Sequence, residues 1–312
     1  MGYIIGMDGG GTKTHCIITN TDGEKQFECS GNASNFLVVG TEKVSGNIFD
    51  LIEKCKNHLD IDYNEIEAVL IGTTGAGRIN DAKKLENDFK NYTDKKGVRL
   101  KKFLVESDAR IALEGAFSGK PGSILISGTG SIMLGKDGKG NIHRVGGFGR
   151  FLGDEGSGYA IGKKGLAAVS KEFDGRGGNT LLSKMVAEKF KIETPEILIT
   201  EIYKNNFDIA SVAPLVIEAA EKNDKEALKI IDEETNELLL HIQSMIKKIN
   251  QPELNLVFIG GIITNENIYS KTLRNKIESR LKDVNIKGPD FSPEIGAVLM
   301  AQDILKVSKI RT

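Results

Sequence analysis

The chain has 312 residues, 39% hydrophobic and 27% charged, with a formal net charge of −1. That length exceeds one ordinary core and suits two domains, and the near-neutral balance offers no basic field to nucleic acid or an anionic membrane. No apolar run nears the roughly 20 residues that span a bilayer, and the stretch before Asp8 is too short, and lacks the basic flank, for a signal peptide.

Cys16, Cys29 and Cys55 have neither paired nor metal-type spacing, so free thiols in a reducing cytoplasm are expected. The histidines are scattered, and no histidine metal centre is expected.

Residues 3–7 are an apolar run that ends at Asp8-Gly9-Gly10-Gly11-Thr12-Lys13-Thr14; a second run, Cys16-Ile17-Ile18, precedes the hairpin signal Asp22-Gly23. The glycine loop therefore joins two strands. A P-loop would place Gly directly before Lys and open a helix. The chemistry still points to phosphate. Gly10 and Gly11 bare backbone N–H groups, and Thr12, Lys13 and Thr14 add hydroxyl and ammonium donors. Asp8, at the strand end, can hold Mg²⁺ through water.

Residues 42–58 carry Val44, Ile48, Leu51, Ile52 and Cys55 at helical spacing. Residues 68–71 and 103–105 are strand-like, and Ser107 or Asp108 can cap a helix beginning at Ala109. A carboxylate at Asp108 can take a proton from a substrate hydroxyl, although the position also suits a plain N-cap.

The opening pattern then recurs. Residues 124–127 are a strand, Gly128-Thr129-Gly130-Ser131 a glycine turn, Ile132-Met133-Leu134 a strand and Asp137-Gly138 a hairpin signal. Two copies of one architecture are expected, with the second turn a second phosphate clamp. Residues 146–158 hold the densest glycines beside Asp154 and Glu155, suggesting a ligand lying on backbone with carboxylates on sugar hydroxyls. Phe148, Phe151 and Leu152 in this stretch are of the buried type. Residues 154–249 are mostly helical, with a Thr194-Pro195 start. Residues 256–259 lead into Gly260-Gly261, where a nucleotide base or ribose can pack on bare backbone. Ser292-Pro293-Glu294 opens a last helix containing Gly296-Ala297.

Together these pieces resemble the sugar kinase, actin and Hsp70 ATPase superfamily, with its first phosphate motif at residues 8–14, its second at 128–131, its adenosine motif at Ile259-Gly260-Gly261 and its second connecting helix around Gly296-Ala297. Within it, the chain is similar end to end to N-acetylglucosamine kinases and the BadF/BadG/BcrA/BcrD-type ATPase family. The most specific segments are Asn32-Ala33-Ser34-Asn35, Glu106-Ser107-Asp108-Ala109 and 146–158. Vertebrate members carry Trp at the position of Phe148 and Thr-Asp in place of Ser107-Asp108.

The resemblance implies an α/β fold with two ribonuclease H-like (actin/Hsp70-type) domains around an ATP cleft. The expected boundaries are 1–114 with a returning C-terminal helix 292–312, and 115–291 with a helical insertion. ATP and Mg²⁺ are the implied cofactors. Asp108 is the implied base, Thr129 faces the transferred phosphoryl group, and Asn35, Asp108, Gly147, Phe148, Gly149, Asp154 and Gly158 line the sugar. The implied reaction is phosphorylation of an amino sugar, at C6 of N-acetylglucosamine. N-acetylmuramic acid and glucosamine stay open. Arg150 or Arg78 could grip the lactyl carboxylate of N-acetylmuramic acid.

The same family includes activators of 2-hydroxyacyl-CoA dehydratases, which hold an iron–sulfur cluster through cysteines at a dimer interface. Here every cysteine precedes Lys56, which sets that reading aside. A non-catalytic sugar sensor is disfavoured by intact Asp8, Thr129 and Asp108. The expected partner is a small amino sugar, with no nucleic acid and no membrane, in a cytoplasmic homodimer.

Overall fold

The computed structural model describes residues 2–310, with side chains up to 306. Met1, in the expected first domain, and positions 311 and 312, in the expected returning helix, lie outside the described residues. The chain forms two compact units. One holds the described residues up to Pro121 together with those from Gly288 onward, and the other is Gly122–Lys287.

In the first unit, β1 (Tyr3–Gly9), β2 (Lys13–Asn20), β3 (Lys25–Asn32), β4 (Ile66–Thr73) and β5 (Phe103–Ser107) form one sheet in the order β3-β2-β1-β4-β5. β1, β2 and β3 pair antiparallel; β1, β4 and β5 pair parallel. Side chains alternate across the sheet. Ile5, Met7, Cys16, Ile18, Val69 and Ile71 meet helices Thr41–Leu59 and Ile79–Lys95. Ile4, Ile17, Ala68 and Leu70 meet Ile111 of helix Asp108–Ala116 and Ala297, Val298 and Ala301 of helix Pro293–Ile310. Both faces are covered, which is why the strands read as near-continuous apolar runs.

The second unit repeats this order. β6 (Gly122–Ser127), β7 (Ser131–Lys136), β8 (Ile142–Gly146), β9 (Leu254–Ile259) and β10 (Val284–Lys287) form the sheet β10-β9-β6-β7-β8, with the same antiparallel and parallel halves. The repeated strand pattern is thus a repeated topology. Most of its helices fall between β8 and β9, and Gly261–Thr264 and Ile268–Arg280 lie between β9 and β10. The longest, Lys225–Ile249, is capped by Asp224, whose carboxylate accepts the Ala227 amide at 2.9 Å. It buries Ile230, Ile231, Leu238, Ile242 and Met245 at three- and four-residue spacing, each contributing about 2 kcal/mol by apolar burial. Among the described residues no helix is long and apolar enough to cross a membrane.

Three expectations need correction. A break after residue 114 would cut helix Asp108–Ala116; because that helix packs on Pro293–Ile310, the division falls at Pro121. Phe148, Phe151 and Leu152 are not buried but 72%, 82% and 83% exposed, because their segment leaves β8 through turns with no strand or helix laid over it. The cysteines, unpromising in their spacing, converge in space, since β2, β3 and helix Thr41–Leu59 each bring one to the same sheet face.

Helices Asp108–Ala116 and Pro293–Ile310 approach at glycine. A Cβ on Gly296 would collide with the Ile111 carbonyl and the Gly115 amide, so the contact is backbone against backbone and cannot yield. Gly296→Val is expected to lower stability by about 3 kcal/mol or more through overpacking. Denaturant unfolding checks this, and a loss under about 0.5 kcal/mol, the range of an indifferent surface site, would contradict the packing account.

Candidate active site

The register of the first sheet assembles the first half of the chemistry. Asp8 lies opposite Gly72, Gly9 opposite Thr73, and Thr73 opposite Ser107. The carboxyl ends of three parallel strands therefore come level, where open α/β sheets bind ligands. Ser107 is the N-cap of its helix, its Oγ accepting the Arg110 amide at 3.1 Å. Capping thus falls to Ser107, and Asp108 is released from that duty. Asp108 Oδ2 accepts the Thr74 hydroxyl and Oδ1 accepts the Ala109 amide, both at 2.8 Å.

The glycine loop sits beside this carboxylate. The Gly10 amide donates to the Lys13 carbonyl at 2.9 Å, and the Gly10 carbonyl accepts the Ser34 amide at 3.1 Å. Gly11, Thr12 and Lys13 are exposed. Gly11 has no positive φ, and a Cβ there would meet nothing within 4 Å. Neither the turn nor the packing demands glycine there.

Thr14 departs from its expected role. It is fully buried, and its hydroxyl donates to the Asn32 carbonyl at 2.7 Å and lies 2.6 Å from Ser34 Oγ. Thr73 donates to the Ser34 carbonyl at 2.7 Å. Thr14 therefore positions the 32–35 segment instead of offering a donor to a phosphate. Asn35, in that segment, caps the short helix Phe36–Val39 through its Oδ1 at 3.2 Å from the Leu37 amide.

Charge marks this corner as unfinished. Burial, then the carboxylates of Glu294 and Asp108, push Asp8 up to about 6, against a smaller lowering by His15. The sequence marks Glu294 only as part of a helix start, Ser292-Pro293-Glu294. Helix Pro293–Ile310 lies on β1 so closely that a Cβ on Gly6 would collide with the Glu294 carbonyl, and that brings the acid to Asp8. Nothing in the linear spacing signals it.

In the second unit, Ser127 pairs with Ser131 across the Gly128-Thr129-Gly130 turn. Gly128, like Gly11, has no positive φ and open space at its Cβ position. Gly260 is different: at φ 100° its Cβ would strike the Ser127 carbonyl, so the end of β9 lies directly on the turn. The amides of Gly158 and Tyr159 donate to the Gly128 and Thr129 carbonyls at 2.8 and 3.1 Å. A Cβ on Gly158 would come 3.1 Å from the Gly128 carbonyl. Gly158 therefore braces the turn.

Two cavities meet at Thr129. One, of about 500 Å³, includes Gly128, Gly158, Pro214, Ile217, Gly261 and Ile262. The other, of about 930 Å³, includes Gly130, Arg150, Asp154, Tyr159 and Lys163. Asp154 sits at φ 61° with its carboxylate against Gly130; burial raises its pKa, opposed by the Ser131 and Gly149 amides. Gly147 packs on Ile132, Gly149 faces open space, and the Arg144 guanidinium lies 5.7 Å from the ring centre of exposed Phe148. Arg150 lies over Phe151 and Tyr159 at 5.1 and 5.9 Å. Arg78, in the first unit, is a surface residue beside Asp81 at 3.6 Å.

The model of the BadF/BadG/BcrA/BcrD ATPase family matches residues 5–301. The chain is 34% identical to the N-acetylmuramic acid/N-acetylglucosamine kinase of Clostridium acetobutylicum, covering 97% of this chain and 99% of that protein. It is 32% identical to the N-acetyl-D-glucosamine kinase of Dictyostelium discoideum, with 95% and 97% covered. Among solved structures, the candidate N-acetylglucosamine kinase of Chromobacterium violaceum matches with a TM-score of 0.74 at 23% identity, over 96% of this chain and 99% of that one. The ROK hexokinase of Thermus thermophilus matches with a TM-score of 0.62 at 14% identity, over 98% and 99%. At these identities the two structures share the fold.

The raised Asp8 has a consequence for stability. Its ordinary value is 3.8 and its folded value about 6, so between those pH values the unfolded chain binds fewer protons than the folded one. Stability therefore falls as pH rises across that window, by up to about 3 kcal/mol from this group. Asp8→Asn is expected to raise the thermal stability of the ligand-free protein at pH 8 and leave it unchanged near pH 4. A variant no more stable than wild type at pH 8 would show that the charge at Asp8 is relieved in another way.

Proposed function

The chain belongs to the BadF/BadG/BcrA/BcrD ATPase family, and on that premise we propose that it is an ATP-dependent kinase that phosphorylates an amino sugar of the N-acetylglucosamine type at the C6 hydroxyl. The observation that carries this reading is the placement of Asp108. It is freed from capping, oriented by Thr74 and set beside an open glycine loop.

In this reading the Asp108 carboxylate takes the proton as the sugar oxygen attacks the γ-phosphorus, and ADP departs. The backbone of Gly10, Gly11 and Gly128 and the side chains of Thr12, Lys13 and Thr129 serve the phosphates. The cavity at Gly261, Pro214 and Ile217 takes the adenosine, with Gly260 shaping the turn behind it. Asn35, Asp154 and the glycine segment from Gly147 to Gly149 serve the sugar. Asp8, half-buried and pushed toward protonation by Glu294 and Asp108, fits a carboxylate that a divalent cation would satisfy. Asp8 would hold Mg²⁺, with Glu294 as the neighbouring acid, and the ion would neutralise phosphate charge.

Asp108→Asn is expected to lower kcat by on the order of 10²-fold or more while nucleotide and sugar affinities stay near wild type. ADP release measured against N-acetylglucosamine, with glucose as control, reads this out. Near wild-type turnover would remove Asp108 from the role of base.

Acceptance of N-acetylmuramic acid follows from Arg150, which lines the cavity that also holds Asp154 and Thr129. A guanidinium suits the lactyl carboxylate that distinguishes this sugar. Arg150→Ala is expected to lower kcat/KM for N-acetylmuramic acid about tenfold more than for N-acetylglucosamine, the worth of one charge-assisted contact. Arg78→Ala should change neither. An equal loss on both sugars would place Arg150 in general loop packing.

A further inference from the structure

Outside this machinery, the first unit gathers its only three cysteines at one point. Cys16 and Cys29 are direct partners across β2 and β3, and the two-residue period puts both on the sheet face covered by helix Thr41–Leu59. That helix turns Leu51, Ile52 and Cys55 toward the sheet. The three Sγ atoms all lie within 4.8 Å of one another, with Cys16 and Cys55 3.6 Å apart. All three thiols are free. Cys16 and Cys55 are 2% and 0% exposed, whereas Cys29 is partly open on the edge strand. Among the described residues no imidazole or carboxylate joins the group.

We propose that Cys16, Cys29 and Cys55 form a binding site for a soft monovalent metal cation, Cu(I), held by three thiolates in a trigonal arrangement. Thiolates about 2.3 Å from a shared ion in one plane stand about 4 Å from each other, so the S···S separations need change by less than about 1 Å. Ligand type and number select the ion. Three sulfurs without nitrogen or oxygen favour a soft ion of low coordination number, whereas zinc in a closed protein site draws four ligands.

The surroundings fit such an ion. Apolar Ile18 and Ile52 belong to the same packed cluster and keep the site from hard, strongly hydrated cations. The Lys54 ammonium reaches the Ser30 carbonyl, next to Cys29, at 3.4 Å, and offsets part of the thiolate charge. The Phe27 ring, two residues before Cys29, stacks on His58 at 3.8 Å and closes one side. Access runs over the edge of the sheet past Cys29. On loading, each S–H bond is replaced by an S–Cu bond and its proton passes to solvent. Copper enters and stays as Cu(I), so no oxidant or reductant is required.

The test uses the reduced full-length protein under anaerobic conditions, titrated with Cu(I) against a chromophoric Cu(I) chelator. One equivalent is expected to bind, and X-ray absorption should show three sulfur neighbours at a single distance. Cys29→Ser sits at the open position, where the fold should tolerate it, and circular dichroism checks that it does. It is expected to weaken binding by at least about tenfold, the usual minimum for disturbing a metal site. Cys55→Ala provides a second ligand deletion with the same expected loss. No stoichiometric binding, a two- or four-ligand environment, or folded variants that bind as wild type would each overturn the site. Zn(II) binding as tightly as Cu(I) would overturn the three-coordinate assignment. The measurement is of binding alone, so its outcome leaves the kinase reading to its own tests.

Discussion

One buried residue, Gly156, organises the second unit. The Gly156 amide donates to Glu234 Oε2 at 2.6 Å, and its carbonyl accepts the Ser127 hydroxyl at 2.7 Å and the Tyr269 hydroxyl at 2.9 Å. Glu234 is 3% exposed and is paired with Lys164 at 2.8 Å. A buried carboxylate without partners would be prohibitively costly, but here the ammonium and the amide satisfy it. Strand β6, helix Lys225–Ile249 and helix Ile268–Arg280 thereby converge on one residue of the glycine segment. Ser131 adds a bond to the Glu155 carbonyl at 2.6 Å. The segment carrying Asp154 is fixed at its far end although its middle, with Phe148 and Phe151, lies exposed.

The first unit solves the same problem with hydroxyls. Thr14 and Thr73 spend theirs on the 32–35 segment, and Thr74 spends its own on Asp108. Thr14 and Thr73, which hold the 32–35 segment, are buried, whereas Thr74 is exposed. The glycines sort by cause. Gly260 and Gly296 have another backbone where a Cβ would be, whereas Gly11 and Gly128 have open space there.

Electrostatics supplies the tension at the centre of the site. At the end of β1 burial, and then the charges of Glu294 and Asp108, make Asp8 hold its proton to higher pH. A carboxylate raised in this way costs stability at neutral pH.

The sequence by itself determined the strand–glycine turn–strand repeat, a capped helix start at Ser107 or Asp108 and the long amphipathic helix, because each rests on near-neighbour chemistry: φ freedom at glycine, a side-chain oxygen on a helix start, apolar residues at fixed periods. It was weaker on β3, β8 and β10, whose polar or half-exposed residues lack an apolar signature. Only tertiary structure decided which glycines lie against backbone and which face open space, that Thr14 is a structural hydroxyl, that Glu294 stands beside Asp8, and that Cys16, Cys29 and Cys55 meet. The reason is common to all four. Each depends on which elements pack together and at what register, and residues 39 or 286 positions apart, such as Cys16 and Cys55 or Asp8 and Glu294, leave no trace of their approach in local spacing.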